Sequence, residues 1–244
     1  MIPWLVDDAP FPPIERALED PNGLLCAGGD LSPGRILAAY RRGIFPWFSA
    51  GQPILWWTPD PRMVLFPAEF RISRSLRKTL RKGDYVVRLD CDFAAVISAC
   101  ADTPREAQPG TWITPGMQRA YRDLHELGWA HSVETWRDGE LVGGLYGLAI
   151  GRMFYGESMF SRQTDASKIA AAHLARFLES RDFGMVDCQM YTDHLASLGA
   201  REIPRSEFMC RLDALCSAPG EPARWPVDGA AFDWHKLGEQ ACHG

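Results

Sequence analysis

The stretch HSVETWRDGELVGGLYGLAIGRMFYGESM, residues 131–159, decides the fold. From His131 to Trp136 the side chains alternate as a strand with one buried face requires. Asp138-Gly139 is a strong hairpin turn signal, because both positions tolerate the positive φ that a tight turn needs. Leu141 to Ile150 and Met153 to Met159 read as two more strands, joined at Gly151-Arg152. Next in the chain, Asp165 to Ser180 spaces its apolar residues as a long amphipathic helix, and Gly184 to Met190 reads as a short buried strand. Hairpin, strand, helix, strand is a mixed α/β (α+β) core.

Outward from this centre the pattern alternates helix and strand from Arg62 onward. Ser73 opens a short basic helix, and Tyr85 to Leu89 reads as a strand. Asp92 caps a helix to about Cys100, and Thr114-Pro115 opens another that Gly128 closes. Small helices follow at Asp193–Leu198 and Ser206–Leu215. The part up to Pro61 is rich in Pro, Gly and Trp and holds one well-marked helix. Ser32 caps it, Pro33 suits its first position, Gly43 ends it, and Ile36, Leu37 and Tyr40 give it an apolar face. After Ala218 the chain is Pro- and Gly-rich, which predicts a loose tail. The expected division is a small N-terminal domain over 1–61, a larger domain over 62–218, and a loose tail over 219–244.

Composition narrows the function classes. Hydrophobic residues make up 46% and charged residues 23% of the 244 positions, ordinary for a globular protein that needs no staple to fold. The seven cysteines are odd in number and contain no Cys-x-x-Cys, so neither a disulfide framework nor a zinc site is expected, and a cytoplasmic location fits. His125, His131, His173 and His194 lack ligand spacing, so no metal is expected and His194 reads as structural. The start, Met-Ile-Pro-Trp-Leu-Val-Asp-Asp, has no basic residue and meets two acids at once, so no signal peptide is expected there. The longest uncharged apolar stretch, Leu141 to Gly151, falls short of the roughly 20 residues of a membrane helix, so no membrane partner is expected. A net charge of −5 argues against nonspecific coating of nucleic acid. It leaves room for a local patch, and the run from Arg71 to Lys82 carries six cations and no acid. On a helix, Arg74, Lys78, Arg81 and Lys82 share one side, with Leu76 and Leu80 away from them. Such a run is commonly a solvated face; phosphate contact is the functional alternative.

Asp187 and Gln189 stand two apart in an apolar strand, so both side chains are expected on one face. A buried carboxylate and amide must be satisfied. By themselves they read equally as a structural hydrogen-bonded pair or as chemistry. Glu157, beside Ser158 in another strand, reads alone as a salt-bridged edge residue.

Several blocks taken together resemble the bacterial leucyl/phenylalanyl-tRNA–protein transferase family. They are Gly43-Ile-Phe-Pro-Trp-Phe-Ser, Gly156-Glu-Ser-Met-Phe-Ser-Arg and Asp187-Cys-Gln-x-x-x-Asp-His-x-Ala-Ser-Leu-Gly-Ala. Pro21-Asn-Gly-Leu-Leu, Gly28-Gly-Asp-Leu-Ser-Pro, Trp56-Trp-x-Pro-Asp-Pro-Arg and Gly110-Thr-Trp-Ile-Thr extend the match over about residues 20 to 205. The core pattern is likewise similar to acyltransferases of the acetyltransferase superfamily. Those enzymes seat coenzyme A pyrophosphate on a Gly-rich turn; here Ser161-Arg-Gln-Thr-Asp-Ala-Ser has no glycine, which points to another acyl donor.

The family resemblance implies transfer of Leu or Phe, with Met as a further donor residue, from aminoacyl-tRNA to proteins that begin with Arg or Lys. No cofactor is implied, the protein is expected to act as a monomer, and the products feed N-degron proteolysis. Asp187, Gln189 and Glu157 match its catalytic positions, Glu157 and Asp187 jointly forming an anionic receptor for the acceptor. Tyr40, Trp47, Trp112, Phe154, Met159, Leu174, Leu178 and Val186 are assigned to the aminoacyl side chain and terminal adenosine, with Phe48 in the same aromatic block. Arg74, Lys78, Arg81 and Lys82 are assigned to tRNA. The sequence departs from the family pattern at Thr192, where Asn is expected. A coenzyme A-dependent acetyltransferase and a noncatalytic tRNA-binding module are the rival readings.

Overall fold

The hairpins at 131–159 become the middle of the larger of two sheets. The computed structural model describes residues 2–6, 9–103, 111–218 and 222–235. In the N-terminal part, β1 (Trp4–Leu5), β2 (Leu24–Gly28), α1 (Pro33–Tyr40), β3 (Phe45–Pro46) and β4 (Leu55–Trp57) build a four-stranded sheet of order β1-β2-β4-β3 with one helix. Trp56 is fully buried and its indole donates to Gly28 O, tying β4 to the end of β2.

The larger unit contains β5 (Arg62–Leu65), α2 (Arg74–Lys82), β6 (Val86–Leu89), α3 (Phe93–Asp102) and α4 (Pro115–Glu126). It continues with β7 (Ala130–Arg137), β8 (Glu140–Ile150), β9 (Met153–Ser161), α5 (Ala166–Ser180) and β10 (Met185–Gln189). It closes with α6 (Asp193–Ser197), β11 (Arg201–Ile203) and α7 (Arg205–Cys216). Its seven strands run β11-β5-β10-β9-β8-β7-β6. All neighbours are antiparallel except β9 and β10, which are parallel and joined through α5, as a parallel pair requires. This is the expected mixed α/β fold, with a small N-terminal unit ahead of a larger one built on a mixed sheet. One face of the sheet packs with residues of α1, α3, α4 and α7, the other with α2 and α5.

The capping residues work as their types dictate. Side-chain oxygens of Ser32, Ser73, Asp92, Thr114 and Thr192 accept from the N–H groups of Arg35, Leu76, Ala95, Met117 and Leu195. Gly83, at φ 65°, ends α2.

One element escaped the sequence and one expectation needs correction. Strand β5, placed between β10 and β11, shows no strand pattern in the sequence: it is four residues long, begins with an arginine, and all four are buried. The tail is not loose over 222–235. Leu89 N–H donates to Val227 O, Trp225 stacks on His131 at 3.9 Å, and Trp234 is buried. Two tryptophans give this Pro-rich segment enough apolar surface to dock. The rest of the tail lies outside the described residues.

Candidate active site

Strands β9 and β10 pair only over Met153–Met185, Phe154–Val186 and Tyr155–Asp187. Past that last pair, Gly156 to Met159 and Cys188 to Met190 line a cavity of about 410 Å³. Its walls are mainly apolar. Buried Leu65, Leu145, Phe154, Leu174, Leu178 and Val186 contribute, with partly exposed Trp47, Trp112 and Met159. Among the described lining residues Glu157 is the one acid, accompanied by Ser158, Gln189, Thr192 and His194. An apolar chamber with few convergent polar groups is the usual form of a small-molecule site.

Asp187 does not line this cavity. It is fully buried on the other side of β10 and forms a two-point ion pair with Arg62 of β5: Nε to Oδ1 at 2.8 Å, Nη2 to Oδ2 at 2.7 Å. Arg62 is also fully buried, donates to Gly43 O at 3.0 Å, and lies over the Phe45 and Phe208 rings. A buried guanidinium of this kind requires such pairing. Asp187 Oδ1 further accepts the Gln189 N–H at 3.0 Å. The pairing of β10 with β5 slips between Asp187 and Gln189, and Gln189 has φ 57°, in the left-handed region that a non-glycine residue seldom adopts. The expected shared face is therefore overturned. The irregularity turns Gln189 into the cavity and leaves Asp187 behind the strand, where its carboxylate holds the unusual backbone. Gln189 Nε2 is buried and has no hydrogen-bond partner among the described residues.

Glu157 is held from beneath. Tyr40 of α1 donates to Oε1 at 2.6 Å and Tyr121 of α4 to Oε2 at 3.0 Å, with the two hydroxyls 2.6 Å apart. Burial pushes the Glu157 carboxyl up to about 7; the two tyrosine hydrogen bonds act against that rise, Asp187 adds to it and Arg62 opposes it. Burial and the nearby charge in turn push both tyrosines well above their ordinary range, so they remain donors.

The profile of leucyl/phenylalanyl-tRNA protein transferase matches residues 64–213, and that of the family's N-terminal domain matches 29–60. The chain belongs to the leucyl/phenylalanyl-tRNA protein transferase family. It is accordingly an aminoacyltransferase. The relative of that name from Azoarcus sp. (strain BH72) is 63% identical over 96% of this chain and 100% of its own length. The one from Nitrosomonas europaea is 64% identical over 93% and 96%. Two solved structures share a more distant likeness. A functionally unknown conserved protein from Staphylococcus epidermidis has TM-score 0.41 and 11% identity, covering 74% of this chain and 68% of that one. A GCN5-related N-acetyltransferase from Kribbella flavida has TM-score 0.34 and 12% identity, covering 70% and 60%.

With the transferase family established, the residues assigned from sequence fall into three places. Trp47, Trp112, Phe154, Met159, Leu174, Leu178 and Val186 line the cavity together with Gln189 and Glu157. Tyr40 lies outside the lining, beneath Glu157, and Phe48 packs against the core on the α1 side. Arg74, Lys78, Arg81 and Lys82 are exposed on α2, with Lys82 paired to Asp84 at 2.6 Å. His194, expected to be structural, instead reaches the cavity from an exposed position on α6. Thr192 uses its hydroxyl to cap α6, so it gives Gln189 no hold there. Sequence reasoning missed Arg62 and Tyr121. Arg62 ends the Trp56-Trp-x-Pro-Asp-Pro-Arg block directly before apolar Met63-Val-Leu65, and a charge entering such a run is the signal of a buried pair. Tyr121 falls among Met117, Ala120 and Leu124 on the buried face of α4 and looks like ordinary core. The turn before α5 also carries weight. Asp165, at φ 62°, stands at the N-cap with its carboxylate 3.2 Å from Lys168 Nζ and 3.3 Å from Thr79 Oγ1. The Lys168 ammonium offsets the Asp165 charge at the start of this helix.

Proposed function

We propose that the protein moves Leu, Phe or Met from aminoacyl-tRNA onto the N-terminal Arg or Lys of acceptor proteins, as a cytoplasmic monomer, and so marks them for N-degron proteolysis. The observation that carries this reading is the apolar cavity whose one acid among the described residues is Glu157. The donor side chain enters the apolar part. Walls without polar handles separate Leu, Phe and Met only by size, by roughly 1–3 kcal/mol per methylene. Trp47 and Trp112, half-exposed on the same cavity, suit the terminal adenosine.

Asp187 is neutralised by Arg62, so Glu157 alone meets the cationic acceptor. Its carboxyl, near 7, takes the proton from the α-ammonium as the amine becomes nucleophilic. The new C–N bond forms at the ester carbonyl and the ester C–O bond breaks; Glu157 passes its proton to the departing ribose oxygen, takes the second proton that the nitrogen sheds as it becomes the amide, and releases that one to solvent. Gln189 supplies its unpartnered Nε2 to the carbonyl oxygen as charge develops there. An amide is too weak a base to be the proton acceptor. Asp187 is a positioning residue, since it fixes the Gln189 backbone. The basic face of α2 supplies phosphate contacts to the tRNA. Mixing the protein with Phe-tRNA and peptides that begin with Arg, Lys, Glu or Gly tests the reading. One-residue extension confined to the Arg and Lys peptides is expected; equal labelling of all four refutes it. Acetyl transfer from acetyl-CoA to the same peptides would restore the rival enzyme.

A further inference from the structure

We infer that Trp225, from the segment following α7, holds Phe154 from behind and thereby sets the depth of the cavity that receives the donor side chain. This rests on the proposed use of that cavity. Phe154 is fully buried on β9 and is part of the cavity wall. Its ring is tucked against Gly147 of β8: a Cβ there would stand 2.6 Å from Phe154 Cζ, so only glycine admits the ring. The Trp225 indole packs 5.8 Å from the Phe154 ring, tilted by 31°, and 4.6 Å from Phe177 of α5. Leu174 and Leu178 of that same helix line the cavity. One indole thus braces both the strand and the helix that form the wall.

Trp225 is itself fixed. It lies parallel to the buried His131 ring at 3.9 Å, and its backbone N–H donates to Asp90 Oδ2 at 2.8 Å. His131 Nδ1 is 2.8 Å from the same oxygen, while Ser132 N–H donates to Oδ1. Farther along, Trp234 donates to His173 on α5, beside Leu174. The matched family region ends at residue 213, before either tryptophan. A ring clamped between Gly147 and Trp225 cannot retreat, and a wall that cannot retreat limits the size of what it contacts.

The test measures kcat/KM for transfer from Leu-tRNA and from Phe-tRNA with wild type, Trp225→Ala, Trp225→Leu and Leu174→Trp, with folding followed by thermal melts. Trp225→Ala opens space behind Phe154 and is expected to raise the Phe-to-Leu ratio by about five-fold, near the lower end of what a methylene of pocket space is worth. Trp225→Leu should raise it less. An unchanged ratio in folded Trp225→Ala, alongside a changed one in Leu174→Trp, overturns the inference alone. An unchanged ratio in Leu174→Trp, which fills the cavity directly, removes the underlying reading with it. Failure of both Trp225 variants to fold assigns the residue to folding and also overturns the inference.

Discussion

Asp187 and Gln189 are two positions apart and do different work, which their spacing alone conceals. Alternation along a strand puts them on one face; the left-handed Gln189 backbone puts them on two. Only the family blocks assign the two residues to a site, and Arg62, far away in sequence, is what makes a buried Asp187 tolerable. The two positions should separate experimentally. Asp187→Asn leaves a buried guanidinium without its counter-charge, a destabilisation of about 3–5 kcal/mol. It should lower the melting temperature and turnover together. Gln189→Ala removes a group whose Nε2 has no partner among the described residues, so stability should hold while single-turnover transfer slows by about 10²-fold, the effect of removing one transition-state donor. An Asp187→Asn variant that melts like wild type but turns over poorly would place Asp187 in direct contact with substrate. Tyr121→Phe deletes one of the two donors that hold the Glu157 carboxylate, leaving Tyr40, Asp187 and Arg62 around it. The carboxyl should then rise above about 7. KM for an Arg peptide should increase at neutral pH and recover as pH is raised, with the pH profile shifted to the alkaline side. A profile that does not move would show that Tyr121 is only core.

Between elements, the cavity arises because β9 and β10 stop pairing after Tyr155 and Asp187. Helices α1 to α5 and strands β6 to β10 were legible because each shows a period, a cap or a turn signal. The short strands β2, β4, β5 and β11 were not, since three to five residues beside prolines and tryptophans display no period. Helix α2 is the element whose role is most open to direct measurement. Its buried residues are Leu76 and Leu80, and Ser73 and Gly83 close its two ends. Replacing Arg74, Lys78 and Arg81 by Ala removes three exposed cations without touching that packing. The triple variant should fold normally and bind tRNA more weakly. Its slope of log affinity against log salt should become shallower by roughly 0.7–0.9 for each phosphate that is no longer neutralised. Affinity and slope equal to wild type in a folded variant would make this helix a solvated face.

For the molecule as a whole, Pro- and Gly-rich composition predicts a free tail, whereas the packing of Trp225 and Trp234 docks it. Composition reports local preference and not the partner a tryptophan finds across the fold. That docking has a titratable element. His173 Nδ1 faces Ala230 O at 2.6 Å, and a carbonyl only accepts, so Nδ1 carries the proton. The Trp234 indole donates to Nε2 at 2.8 Å, so Nε2 must be unprotonated. Burial pushes this imidazole down to about 4 from an ordinary value of 6.5. A group depressed on folding stabilises the protein above its unfolded value and loses that contribution as pH falls, here between 6.5 and about 4. Glu157 behaves oppositely. Raised from 4.5 to about 7, it favours the fold below 4.5 and costs stability as pH climbs through 7. At about 1.4 kcal/mol per unit, each contributes up to about 3 kcal/mol at its own end of the range. The two windows overlap between 4.5 and 6.5, where their opposed slopes cancel, so chemical denaturation from pH 4 to 9 should show a broad, shallow maximum there with a slight acid and a slight alkaline limb. Glu157→Gln should flatten the alkaline limb, standing above wild type at pH 8 to 9 and converging with it near pH 5, even as transfer is abolished. His173→Asn, which keeps a donor towards Ala230 and cannot titrate, should flatten the acid limb only. If Glu157→Gln gives no added stability at pH 9, the wild-type carboxylate is not under strain in the folded state, and the group that receives the acceptor's proton has to be sought elsewhere in the cavity.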